Sequence, residues 1–120
     1  MRLNIQERQD SDVTVLELGG SLTLGEEADA LRERIRQLLK ARKVKIVLHL
    51  QNLDRLDSIG IGTMIDAVKR TRKAGGDLRL AQLSKTAADV LGLLTLTRRP
   101  DLLAIFPNEQ EAVASLRAPP

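Results

Sequence analysis

The run Val44–Leu50, VKIVLHL, is apolar at five of its seven positions and rich in β-branched residues. Such a segment suits a strand covered over most of its surface, which places it centrally in a sheet. The residues around it supply the cover. From Glu26 to Lys40 the apolar residues Ala28, Leu31, Ile35, Leu38 and Leu39 recur at helical spacing. Thr23 and Glu26 fit a T-x-x-E capping box, so this helix is expected to start near Leu24. A second helical pattern runs from about Gly60 to Ala74, with Ile61, Met64, Ile65 and Val68 on one face and Gly75 and Gly76 to stop it.

The rest of the chain continues the alternation. LNIQER and VTVLEL read as two strands joined by a turn at Gln9 to Asp12. DLRLAQL alternates as a fourth strand, SKTAADVLGLL reads as a short helix, and LLAIF is a fifth strand ended by Pro107. NEQEAVASL is a last helix capped by Asn108. A hairpin followed by alternating helices and strands implies crossover connections, hence an α/β domain with a mixed, mostly parallel sheet of about five strands and about four helices. No internal repeat or low-complexity stretch interrupts residues 1–117, which form one domain in this reading, with residues 118–120 a short tail.

Composition narrows the chemistry. A chain of 120 residues can bury roughly two-thirds of its unfolded surface. Only Phe106 is aromatic, so the core must come from Leu, Ile, Val and Ala, with Met64 a core residue on its helix face. No cysteine is present and His49 is the single histidine, which removes disulfides, thiolate chemistry and histidine clusters; no metal is expected. His49 reads as a strand residue with its ring at the sheet surface. The N-terminus MRLNIQERQD has no apolar run, and VLGLLTLT is far too short to span a bilayer, so a cytoplasmic protein without membrane insertion is expected. The basic stretches RERIRQLLKARKVK and KRTRK interleave with core-facing residues and read as solvated faces. With a net charge of only +3 and no aromatics for base stacking, direct nucleic-acid binding is not expected.

The segment Leu56–Ala67, LDSIGIGTMIDA, carries the chemistry that remains. A hydrolase nucleophile elbow wants G-x-S-x-G, and although Gly60 is in place the upstream position is Leu56. His49 lies nine residues back with no evident return, so no triad is expected. The Walker pattern fails because Gly62 is followed by Thr63 and Met64, and a dinucleotide fingerprint would want glycine where Ile65 stands. Asp54 and Asp57 read as turn formers rather than cation ligands. On physics alone, Asp57 or Ser58 caps the helix that follows, contributing about 1 kcal/mol, and Gly60 and Gly62 let its first turn pack tightly.

Three segments, IVLHLQNLDRLDSIGIGTMIDA, KAGGDLRLAQLS and LLAIFPNEQEAVASL, resemble the STAS domain of bacterial anti-sigma factor antagonists, also called anti-anti-sigma factors. The likeness runs from about Leu3 to Leu116, and its D-S-x-G-[LI]-G core follows a central strand as in the family. The resemblance implies a small α/β STAS-like fold without enzymatic activity or cofactor. It implies that Ser58 is a phosphoacceptor for a partner that is both anti-sigma factor and serine kinase. Thr23, Asp57, Ile59, Gly60, Ile61 and Gly62 would then belong to the docking face. Unphosphorylated protein would sequester the anti-sigma factor, and a PP2C-type phosphatase would reset the switch; homodimerisation stays open. Thr23 stands where the family often carries aspartate, Ile59 where it often carries a small polar residue, and LLTLTRRPDLLAIF is a few residues longer than usual. The competing readings are a STAS scaffold never phosphorylated, in a signalling assembly or a lipid-transport complex, and a hydrolase using Ser58.

Overall fold

A computed structural model describes residues 2–117, so the expected tail at 118–120 lies outside the described residues. Strands β1 (Leu3–Asp10) and β2 (Val13–Leu22) form an antiparallel hairpin whose turn is only Ser11 and Asp12. Then follow α1 (Glu26–Lys40), β3 (Lys45–Leu56), α2 (Ser58–Lys73), β4 (Asp77–Ala81), α3 (Lys85–Leu93), a 3-10 turn at Leu96–Arg98, β5 (Ala104–Phe106) and α4 (Glu109–Leu116). The sheet order is β1-β2-β3-β4-β5, with every pairing after the first parallel.

That order dictates where the helices go. The crossovers β2-α1-β3, β3-α2-β4 and β4-α3-β5 all step the same way across the sheet. Right-handed crossovers must then lay all three helices on one face. The core agrees: Leu31 and Ile35 of α1, Met64 and Val68 of α2 and Leu91 of α3 join Leu48, Leu50 and Leu80 of the sheet in one cluster. The opposite face is left for α4, whose Ala112, Val113 and Leu116 pack on Val13, Val15, Val47 and Ala81. β3 thus alternates Ile46, Leu48 and Leu50 against one layer with Val47 against the other, as its nearly continuous apolar sequence requires.

His49 follows the same alternation, which corrects its expected place at the sheet surface. Its ring is buried under the start of α4, with Nδ1 2.7 Å from a Glu109 carboxylate oxygen and Nε2 3.4 Å from Gln51 Oε1. Arg8 of β1 also reaches Glu109. A ring with hydrogen-bond partners can be buried at little cost, and the partner here comes from 60 residues away.

Two details concern the helix ends. Thr23 does not form the expected capping box: the N-cap of α1 is Gly25, at φ 104°, with no side-chain cap. The helix therefore begins two residues later than the box requires. Glu26 becomes its first residue, and the hydroxyl of Thr23 donates instead to Glu27 Oε1 at 3.0 Å. At the other end of the crossover, α2 is left through Ala74 and then Gly75 at φ 96°, the left-handed exit that glycine permits.

Candidate functional site

The carboxyl ends of β2 and β3 project beyond β4 and β5. β4 stops opposite His49, whereas β3 runs on to Leu56, paired with Gly19–Leu22 of β2 through two register irregularities. In open parallel sheets the loops beyond the strand ends are where sites are built. Here the β2–α1 loop and the start of α2 meet at this projecting tip.

Asp57 joins them. It is the N-cap of α2, in extended conformation, and its Oδ1 accepts from the Gly60 N–H at 2.8 Å. Its Oδ2 accepts from the Leu24 N–H at 3.0 Å. One carboxylate thus caps a helix and ties down the neighbouring loop. Desolvation opposes its ionisation, but the N–H groups of Gly60, Leu24 and Ile59 outweigh it and hold the carboxyl below the usual aspartate range. Between the two candidate caps left open by the sequence, the structure chooses Asp57.

Ser58 is left free of that duty. It is the first residue of α2 and is exposed. Around it stand two exposed apolar side chains, Ile59 at 39% of full exposure and Leu24 at 71%. Gly62 lies one turn further along α2 with open space where a Cβ would be, so the helix backbone itself is presented there. Gly60 does the opposite job. A Cβ at that position would sit 2.1 Å from the Leu22 carbonyl oxygen. Only glycine allows α2 to start this close to β2.

The sequence-predicted residues therefore sort by burial. Thr23, Asp57, Ser58, Ile59 and Gly62 share one partly or fully exposed surface, whereas Gly60 and Ile61 are buried. Those two shape the surface from beneath and offer it no contact area. Leu24 was missed, because a helix starting at Leu24 would not set its side chain apart in a loop; the positive-φ glycine that follows at Gly25 was the available signal.

Beside Asp57 opens a hollow of about 570 Å³, lined among others by Ser21, Thr23, Glu27, Asp54, Asp57 and Thr86. It is predominantly acidic and hydroxylic. The Ser21 Oγ is buried and has no hydrogen-bond partner among the described residues. No three His, Cys, Asp or Glu side chains among the described residues converge as a metal site needs. Away from this end, most basic residues of the helices are exposed and several pair locally, Arg32 with Asp29, Arg36 with Glu33 and Arg70 with Asp66.

Comparison with known proteins places this arrangement. The sequence profile of the STAS domain matches residues 4–112. The chain is 26% identical over 117 residues to an anti-sigma F factor antagonist of Paenibacillus polymyxa, covering 97% of both chains. Its fold is similar to that of an anti-sigma factor antagonist from Mycobacterium paratuberculosis, with a TM-score of 0.80 at 16% identity, covering 96% of this chain and 94% of that one. It is also similar to the Bacillus cell fate determinant SpoIIAA in its phosphorylated form, with a TM-score of 0.68 at 20% identity over 95% of this chain and all of that one. With a profile match spanning nearly the whole chain, on the strand order and the D-S-x-G-I-G turn described above, this protein belongs to the STAS domain family.

Proposed function

We propose that this chain is an anti-sigma factor antagonist, binding an anti-sigma factor that is also a serine kinase and released from it by phosphorylation of Ser58. The observation that carries this reading is the exposed hydroxyl of Ser58 at the first position of α2, uncommitted to capping and flanked by Leu24 and Ile59. The curated relative from Paenibacillus polymyxa and the phosphorylated SpoIIAA neighbour support it. In the same reading a PP2C-type phosphatase restores the free serine, and the exchange takes place in the cytoplasm.

The switch works through charge at the interface. A phosphate on Ser58 adds about two negative charges at a helix N-terminus, where free N–H groups and the helix dipole favour it by roughly 0.3 to 2 kcal/mol. The fold tolerates the group. A partner packed over Ile59, Leu24 and the bare backbone at Gly62 would have to bury that charge, and an uncompensated buried charge costs about 3 to 5 kcal/mol. At 1.4 kcal/mol per tenfold, about 3 kcal/mol lowers affinity roughly a hundredfold.

Incubation with the cognate anti-sigma kinase and ATP should add one phosphate, located on Ser58 by peptide mass spectrometry, and Ser58→Ala should abolish it. No transfer, or transfer to another residue, would favour a STAS scaffold that is never phosphorylated.

A further inference from the structure

At the end of the molecule opposite Ser58, α1, α2 and α3 deliver their C-termini to the strand starts. Lys45 of β3 pairs with Asp77 of β4, the Asp77 N–H donates to the Val44 carbonyl, and Arg72 near the end of α2 donates to both Asp77 and the Asp101 carbonyl. The hairpin turn and the end of α4 lie at this end too, through Lys45 to Asp12 and Arg117 to Asp10. The carboxylates here, Asp10, Asp12, Asp77 and Asp101, are each within ion-pair distance of a cation. Cations are left over. Lys40, Arg42, Lys73 and Arg98 have no carboxylate partner among the described residues. Lys40 and Lys73 lie in the last turns of α1 and α2, and Arg42 and Arg98 stand beyond those helices.

Where α3 ends, two consecutive leucines face water. Leu93 is 84% exposed and Leu94 52%. They precede the 3-10 turn that carries Arg98. Neither lines the hollows beside Asp57 or between α1 and α2. They stand proud of the surface, with uncompensated positive charge at the same end.

We propose that this end docks peripherally on an anionic lipid surface, Leu93 and Leu94 entering the headgroup boundary while Arg42, Lys73 and Arg98 face the lipid phosphates. The charge fixes the sign of the partner, since Asp10, Asp12, Asp77 and Asp101, the acids described at this end, are already paired. The shape fixes its kind: two protruding leucines need a shaped receptor on a protein, whereas a fluid interface moulds itself to them. Docked this way, the protein keeps Ser58 turned to solution. The inference is independent of the role proposed for Ser58.

The test is co-sedimentation of the full chain at low salt with vesicles of phosphatidylglycerol and, separately, of phosphatidylcholine. The bound fraction is expected to be about tenfold greater on phosphatidylglycerol. Leu93→Ser with Leu94→Ser should lower it about tenfold, and Lys73→Glu with Arg98→Glu should abolish it. Leu93→Ser alone serves if the double variant loses its circular dichroism. Absence of binding to phosphatidylglycerol, or binding that the leucine variants retain in full, would overturn the proposal. So would equal, leucine-dependent binding to polyglutamate or duplex DNA, which would assign the face to an acidic macromolecule.

Discussion

The carboxylate of Asp57 is held by the N–H groups of Gly60 and Leu24, whereas the hydroxyl one residue later, on Ser58, faces water. Asp57→Ala removes the cap of α2 and the tether of the β2–α1 loop together, and should lower stability by about 1 to 2 kcal/mol in denaturant unfolding. The carboxyl is held below the usual aspartate range, so its contribution is complete above the unfolded value of about 4 and is lost as pH falls through the lowered folded value. The stability gap between wild type and Asp57→Ala should therefore be present at neutral pH and shrink progressively below about pH 4; a gap that widens on acidification would contradict this account. Ser21 offers a contrasting case. Its buried hydroxyl lacks a partner, so Ser21→Ala should be neutral or stabilising by up to about 1 kcal/mol. A clear loss on thermal unfolding would mean that the hydroxyl is satisfied, by ordered water for instance.

Within α2, the two glycines after Ser58 have different physics that composition alone does not separate. Gly60→Ala drives a methyl into the Leu22 carbonyl and should cost more than about 2 kcal/mol, in the manner of overpacked sites. Gly62→Ala meets nothing and should raise stability by about 0.5 to 1 kcal/mol through helix propensity; on the proposed function it should also weaken binding of the anti-sigma factor, because the added methyl would stand on the proposed docking surface. Unfolding curves for the two variants should move in opposite directions. The apolar spacing of α1 and α2 was legible because each packs one stripe on one face of the sheet. The extension of β3 beyond Leu50 was not, because its register irregularities against β2 break the period-two pattern, leaving Leu53 and Leu56 buried three residues apart. The start of α1 was misplaced because T-x-x-E looks the same whether or not a left-handed glycine intervenes.

Across the whole molecule, the strand–helix alternation was enough to expect a mixed, mostly parallel sheet, whereas the strand order, and with it the placing of three helices on one face, came from the folded structure. The packing of α4 on the other face, and with it the burial of His49 against Glu109, depended on a contact 60 residues apart that no local pattern encodes. The site was legible as a serine following an aspartate at a helix start, but which of the two capped the helix required coordinates. The fold separates two surfaces, the exposed serine at the strand carboxyl ends and a cationic, leucine-bearing end opposite. Since the Ser58 side chain is solvated and takes no part in the core, a charge placed there should be read by a partner and ignored by the fold: Ser58→Asp should shift the melting temperature by less than about 2 °C.

The central claim is tested most directly by titrating the anti-sigma factor with unmodified and with Ser58-phosphorylated protein in a calorimeter, and melting both forms in parallel. The account predicts an affinity lower by about a hundredfold for the phosphorylated form, with nearly coincident melting curves. Equal affinities, or a loss of binding accompanied by a collapsed melting transition, would contradict it.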